Sequence, residues 1–254
     1  MIRASNVVKR FGYSDKSVIA LDGISLDIGE GEFVSLLGPS GCGKSTFLRC
    51  LAGIETATTG TLLVDGRPVN GPPDGLGMAF QRDALLDWFD VLENVLLPAD
   101  FGGKRKRDFE PRARELLAMA GLSSFVNAYP RELSGGMRQR VAMCRSLLLD
   151  PRLLLMDEPF GALDALTRDQ LNVDLHRLTQ RQKTTTIFVT HSISEAVFLS
   201  TRVVVFSPRP GRIVEDIRID LPSERRLAVR EDKEFAGYTR HIRGLFEKMG
   251  LIHD

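Results

Sequence analysis

The nine residues Gly38-Pro39-Ser40-Gly41-Cys42-Gly43-Lys44-Ser45-Thr46 constrain this chain more than any other stretch. They fit the pattern G-x-x-x-x-G-K-[ST], with Gly38, Gly43, Lys44 and Ser45 at the fixed positions. Phe33 to Leu37 reads as a short buried strand before them, and Thr46 to Ala52 as a helix stopping near Gly53 after them. Strand, loop, helix is the context in which the pattern has a mechanism. Glycines let backbone N–H groups turn inward around a polyphosphate, the helix N-terminus adds positive potential, Lys44 reaches the terminal phosphates, and the Ser45 hydroxyl can ligate Mg²⁺. The stretch predicts a nucleoside-triphosphate site.

At 254 residues the chain is long enough for one large domain or two small ones, and a hydrophobic share of 43% supports a proper core. The net charge of +1 argues against a nucleic-acid partner. Cys42, Cys50 and Cys144 have no metal-ligand spacing and are expected as free thiols in a reducing compartment. The N-terminus lacks a signal-peptide pattern, and no apolar run approaches the ~20 residues that cross a bilayer. The expectation is a soluble cytoplasmic chain whose membrane role, if it has one, comes through a partner.

Ile2 to Val8 and Ile19 to Ile28 alternate apolar and polar residues, which predicts a β-rich opening with Phe11 in its first turn. That aromatic could stack on a base or simply pack. Gly60 to Gly66 reads as a strand closed by an Asp-Gly turn, and Gly77 to Phe80 as a short strand that delivers Gln81 at its end. From about Arg82 to Asp150 the pattern turns helical, with helices over Val91 to Ala99 and Pro111 to Ala120, the second started by its proline and stopped by Gly121. Lys104 to Arg107 reads as a solvated loop between them, with contact to anionic lipid as the lesser option.

Ser134 is a natural N-cap for a helix running to about Asp150, and Gly135 and Gly136 behind it offer N–H groups at a positive helix end. Leu153 to Met156 is an apolar strand running into Asp157, Glu158 and Pro159. At the carboxyl end of such a strand Asp157 would hold Mg²⁺ and Glu158 would polarise a water for attack. Thr184 to Thr190 is a β-branched strand ending at His191, a candidate γ-phosphate contact, although a lone histidine can equally be structural. Ala165 to Gln182 reads as a helix, Val203 to Phe206 and Arg212 to Glu215 as strands, and residues 223 to 254 as a charged helical tail without assignable chemistry.

In this order the motifs resemble the nucleotide-binding subunits of ABC transporters: Walker A at 38–46, the Q-loop at Gln81, Leu-Ser-Gly-Gly at 133–136, Walker B at 153–158, the D-loop at 161–164 and the H-loop at His191. The resemblance covers roughly residues 1–222 and implies an α/β P-loop NTPase fold: a mixed sheet core, an antiparallel β subdomain, and an inserted α-helical subdomain at about 82–150. It implies an ATPase with ATP and Mg²⁺ as cofactors. Phe11 would stack on adenine, and Gly38 to Thr46 would cradle the phosphates. Lys44 would clamp the β- and γ-phosphates, Ser45, Gln81 and Asp157 would serve the metal, Glu158 would be the general base, and His191 would sense the γ-phosphate. Ser134, Gly135 and Gly136, with Asp164 of the D-loop, would complete ATP bound to an opposite subunit.

A chain with one phosphate loop and one signature holds only halves of sites, so a second copy or a paralogue is implied. Phe160 to Asp164 with Thr167 to Gln170, and Ser207 to Arg212, are similar to the nitrate, sulfonate, taurine and bicarbonate importer group. There the partners are a membrane permease and, indirectly, a solute-binding protein, with the ATPase peripheral on the cytoplasmic face. Trp88 and Phe89 are candidates for the groove that receives the permease, or for core packing. Met137 and Asp87 depart from the wider pattern. The alternatives are the ATPase of an exporter or lipid-extraction system, or a non-transport switch, and against the last of these no coiled-coil insertion or basic arm marks this sequence.

Overall fold

The structure, a computed structural model, describes residues 1–12, 17–161, 163–182 and 184–252. Its contacts divide the chain into two compact units, Met1–Asp74 with Thr185–Asp254, and Gly75–Thr184.

In the first unit β1 (Ile2–Phe11) pairs antiparallel with β2 (Val18–Ile28) and β4 (Thr59–Val64), and β5 (Arg67–Pro68) extends this sheet at the β4 edge. The alternating sequence does what a period of two requires: Ile2, Ala4, Ile24, Leu26 and Ile28 are buried, while Arg3 and Asp27 face solvent. Phe11 is not in the first turn; it is the last residue of β1, opposite Val18, because cross-strand pairing carries the strand up to Gly12. Asp65 and Gly66, both at positive φ, make the tight β4–β5 turn expected of an Asp-Gly pair.

The second sheet segment of this unit holds β3 (Phe33–Leu37), parallel to β8 (Thr185–Thr190) on one side and to β9 (Arg202–Phe206) on the other. β10 (Ile213–Arg218) returns antiparallel beside β9, which makes the arrangement mixed. β3 and β8 are buried along their whole length, as parallel strands covered on both faces are. α1 (Lys44–Leu51) buries Phe47, whose ring centroid lies 6.5 Å from that of buried Phe206. Burial of each such side chain stabilises the fold by roughly 2–3 kcal/mol. α6 (Ile193–Leu199) follows β8, and α7 (Lys233–Lys248) buries Phe235, Ile242 and Phe246 along one face. Within the tail a short 3-10 turn at Leu227–Glu231 and α7 are helical and the segments around them are not, while His253 and Asp254 lie outside the described residues.

In the second unit β6 (Leu76–Ala79) runs parallel to β7 (Leu153–Asp157), with Ala79 opposite Met156. Around them lie α2 (Val91–Phe101), α3 (Lys106–Met119), α4 (Gly135–Leu147) and α5 (Ala165–Gln182). Asp90 and Glu93 open α2 with a reciprocal capping box. α3 begins at Lys106 and not at Pro111, which lies inside the helix. The lost N–H of Pro111 is outweighed by burial of Ala113, Leu116 and Leu117 and by the Arg105–Asp108 ion pair (3.0 Å) at the helix start. Consequently half of the basic run 104–107 is helix rather than loop: Lys106 meets Asp100 at 3.0 Å and lies 5.5 Å from the centroid of Phe89. Among the described residues no helix is long and apolar enough to cross a membrane.

Candidate nucleotide-binding and catalytic site

The phosphate loop connects β3 to α1 in the first unit. Gly43 sits at φ +108°, and a Cβ there would fall 2.6 Å from the carbonyl oxygen of Ala20, so only glycine admits this approach. Gly43 is also the N-cap of α1 and supplies no side-chain acceptor, which leaves the first N–H groups of the helix for an anion. Lys44 is 3% exposed; its Nζ donates to the carbonyls of Gly38 (2.8 Å) and Pro39 (2.9 Å). Ser40 and Gly41 are exposed, whereas Pro39, Ser45 and Thr46 are half-buried. Cys42 is buried, its Sγ 3.7 Å from Lys44 Nζ, and burial pushes its thiol above the ordinary cysteine range despite the neighbouring ammonium. Behind the loop, Gly211 donates to Ala20 O (3.0 Å) and accepts from Asp22 N (2.9 Å), which seats the Ser207–Arg212 turn against β2.

Phe11 is 40% exposed at the end of β1, with Lys9 Nζ 4.8 Å from its ring centroid. His191 is exposed immediately after β8. Its neighbours are fixed: Ser192 N donates to Thr190 Oγ1 (3.0 Å), Thr190 Oγ1 and Glu195 Oε2 are 2.5 Å apart, and Ser192 Oγ caps α6 by accepting from Glu195 N (3.3 Å).

In the second unit Asp157 ends β7 and is 7% exposed. Glu158 follows at φ +45°, a left-handed conformation uncommon for a non-glycine residue and found where a site requires it. The turn holds it there, with Gly161 N donating to Glu158 O at 3.2 Å. Nothing in the sequence signals that angle.

Gln81 follows β6 with its side chain exposed. The segment after it is tied to α4: Gln139 Nε2 donates to Gln81 O (3.1 Å), Arg138 Nε to Asp83 Oδ2 (2.9 Å), and Arg145 to the carbonyls of Asp83 (2.6 Å) and Ala84 (2.8 Å). Burial pulls the Arg145 guanidinium below its ordinary range. Fully buried Asn94 organises the next residues, donating to Leu86 O, Phe89 O and Asp90 O and accepting from Leu86 N. No motif marks Asn94, Arg138, Gln139 or Arg145. Arg138 and Arg145, seven apart on one helix face, are the signal that could have found them.

Ser134 caps α4 as expected, accepting from Met137 N at 3.3 Å. Ser134 and Gly135 are exposed, and a Cβ on Gly136 would lie 2.6 Å from Thr167 Cγ2, so α4 and α5 touch here through hydrogen alone. Asp164 Oδ1 accepts from Thr167 N (3.0 Å) and caps α5; hydrogen bonds from Thr167 hold its carboxyl below the usual range. Ala162 of the D-loop lies outside the described residues. Phe11, the phosphate loop and His191 thus belong to the first unit, and Gln81, Ser134 to Gly136, Asp157, Glu158 and Asp164 to the second.

Among the described residues no group of three or more His, Cys, Asp or Glu side chains could hold a metal. Ser45 in the first unit, and Gln81 and Asp157 in the second, each carry an oxygen donor, the ligand type that a small hard cation such as Mg²⁺ takes.

The family model for the ABC transporter matches residues 21–161. The chain belongs to the ABC transporter family. This ABC chain is similar to the taurine import ATP-binding protein TauB of Rhizobium johnstonii, at 46% identity over 91% of this chain and 90% of that protein. It is similar also to the nitrate import ATP-binding protein NrtD of Synechocystis sp., at 44% identity over 90% of this chain and 88% of that one. Among solved structures it matches a dimeric ATP-binding cassette in a post-hydrolysis state bound to ADP and phosphate, with TM-score 0.76 and 33% identity over 87% of this chain and all of that one. The ABC chain is an ATPase with an α/β fold.

Proposed function

We propose that this chain energises the import of a small anion of the nitrate, sulfonate or taurine type, as a peripheral subunit on the cytoplasmic face beneath a membrane permease. The observation that carries this reading is the near full-length similarity to the taurine and nitrate import proteins, over 91% and 90% of this chain. The cassette domain is taken as residues 1–222 with a helical subdomain at about 82–150, and residues 223–254 as an extension.

Two such chains would meet head-to-tail. Gly38 to Thr46 wrap the triphosphate, Lys44 exchanges its two loop carbonyls for phosphate oxygens, and Phe11 stacks on adenine. Ser45, Gln81 and Asp157 would hold Mg²⁺, which when bound neutralises charge on the β- and γ-phosphates. Glu158 accepts a proton from the attacking water, and His191 donates toward the γ-phosphate. Ser134, Gly135 and Gly136, with Asp164 nearby, close the site of the opposite copy. Trp88, 70% exposed and edge-on to Phe89, offers an apolar surface for the permease. A solute-binding protein would deliver the anion from outside.

The test is a tagged pull-down from native membranes followed by mass spectrometry and ATPase assay. Recovery of a polytopic permease with a solute-binding protein is the expected result. Recovery of soluble partners alone would defeat the importer reading.

A further inference from the structure

Residues 222–252 carry no part of the chemistry above, yet they grip one short helix tightly. α6 begins one residue beyond Ser192 and therefore two beyond His191, and its seven residues extend about 10 Å. Its last carbonyls lack intrahelical partners, as at any helix C-terminus. Arg225, 5% exposed, fills that role: Nη1 reaches Val197 O (3.0 Å), Phe198 O (2.8 Å) and Ser200 O (2.9 Å), while Nε donates to Pro222 O (3.0 Å). A cation at the negative end of a helix is favourable in itself. Burial pushes the Arg225 guanidinium down to about 10, still charged at neutral pH.

Other contacts point the same way. Arg230 lies 5.2 Å from the ring centroid of Phe198, which is fully buried in α6. Tyr238 of α7 accepts from Asp220 N (3.0 Å), and His241 Nε2 is 2.8 Å from Glu215 Oε1 on β10, so the middle of α7 is tied to β10 and to the segment just after it. At its other end α6 is locked by the Thr190–Glu195–Ser192 bonds that frame His191. A seven-residue helix held at both termini is fixed as one short, stiff piece that can serve as a lever.

We propose that Arg225 is a positioning residue for His191: by capping the C-terminal carbonyls of α6 it sets the lever that carries the histidine, and gives the C-terminal extension a role in ATP hydrolysis. The proposal rests on the reading of His191 as the γ-phosphate contact. Loss of the cap lets the ring drift, and a displacement near 1 Å costs up to roughly 100-fold in rate. Binding of ATP through the phosphate loop is untouched.

The experiment is a mutant cycle on the full-length chain, with kcat and KM for ATP measured for R225A, R225K, H191A and R225A/H191A, and folding checked by thermal melts. The expected result is a fall in kcat of roughly 10- to 100-fold in R225A with KM within about twofold, R225K in between, and no further loss when R225A is added to H191A. Equal losses from R225A in both backgrounds, or an unchanged kcat in R225A, would overturn the proposal while leaving the role of His191 intact. A kcat unchanged in H191A would instead overturn the histidine reading and this proposal with it. If R225A does not fold, the R225K and H191A cycle is judged by the same criterion, since Lys keeps a cation at the carbonyls but loses the Pro222 bond.

Discussion

Arg138 Nε and Asp83 Oδ2 lie 2.9 Å apart, joining the helix that begins at the Ser-Gly-Gly signature to the segment that follows Gln81. The pair is partly exposed and stabilises the fold by no more than about 1 kcal/mol. Its importance is in registration. Arg138→Ala or Asp83→Ala should leave the melting temperature within a few degrees yet lower ATP turnover several-fold, and the exchange Asp83→Arg with Arg138→Asp should regain part of it. Arg145→Ala strands two carbonyls and should cost about 2–3 kcal/mol in denaturant unfolding. Identical turnover in all these variants would refute the coupling.

Removing the proposed base isolates chemistry from binding. Glu158→Gln should lose on the order of 10²–10⁴-fold in hydrolysis while fluorescent nucleotide titrations show ATP affinity retained. Turnover at the wild-type rate would end the assignment.

The proposed head-to-tail pairing can be tested by complementation. Ser134→Arg damages only the signature half and Lys44→Ala only the phosphate-loop half, so each homodimer should be inactive. Mixtures should recover activity through heterodimers that keep one intact composite site. Absence of recovery in mixtures shown to contain heterodimers would count against shared sites.

The close approach of α4 and α5 at Gly136 makes a packing prediction. Gly136→Ala places a methyl 2.6 Å from Thr167 Cγ2 and should cost about 1–3 kcal/mol by overpacking. Thr167→Ser deletes that methyl, keeps the hydroxyl beside Asp164, and should restore most of the lost stability in the double variant. A double variant no more stable than Gly136→Ala would place the strain elsewhere.

Alkaline pH should weaken the fold through buried thiols. Burial pushes Cys50 up to about 11 and Cys144 up to about 12 from the ordinary 9.0, so the folded state holds these protons more tightly than the unfolded state. Their contribution is complete below pH 9.0 and is lost as pH rises through the folded values, at up to about 1.4 kcal/mol per pH unit for each thiol. Urea unfolding at pH 8 and pH 10 should show this slope, and Cys144→Val should flatten it. The same burial makes Cys42 a poor target for alkylation in the native state: N-ethylmaleimide at neutral pH should label it only after denaturation.

Those parts of the fold that local pattern carries are legible in the amino-acid sequence itself. β3, β7 and β8 declare themselves as apolar runs, each leading into a candidate site segment, and α5 lies over Ala165–Gln182 as its pattern requires. α6 does not stand out, because seven residues are too few for a helical period to emerge and only the cap Ser192 with Glu195 marks its start. Pro111 misplaces the start of α3, because a proline favoured at helix starts is also tolerated inside one when neighbouring side chains pack well. The φ of Glu158 and the bonds made by Asn94, Arg145 and Arg225 depend on which elements lie side by side, and that is settled by the whole chain rather than by any window of it.

Lys44 directs its charge to two carbonyls of its own loop, those of Gly38 and Pro39. A group that takes this ammonium as its partner has two backbone dipoles to replace. A chain of phosphates offers several oxygens for that replacement, and a single carbonyl or carboxylate oxygen offers one. On the proposed reading of this loop, the exchange therefore favours a ligand that presents several acceptors in a row over one that presents a single acceptor.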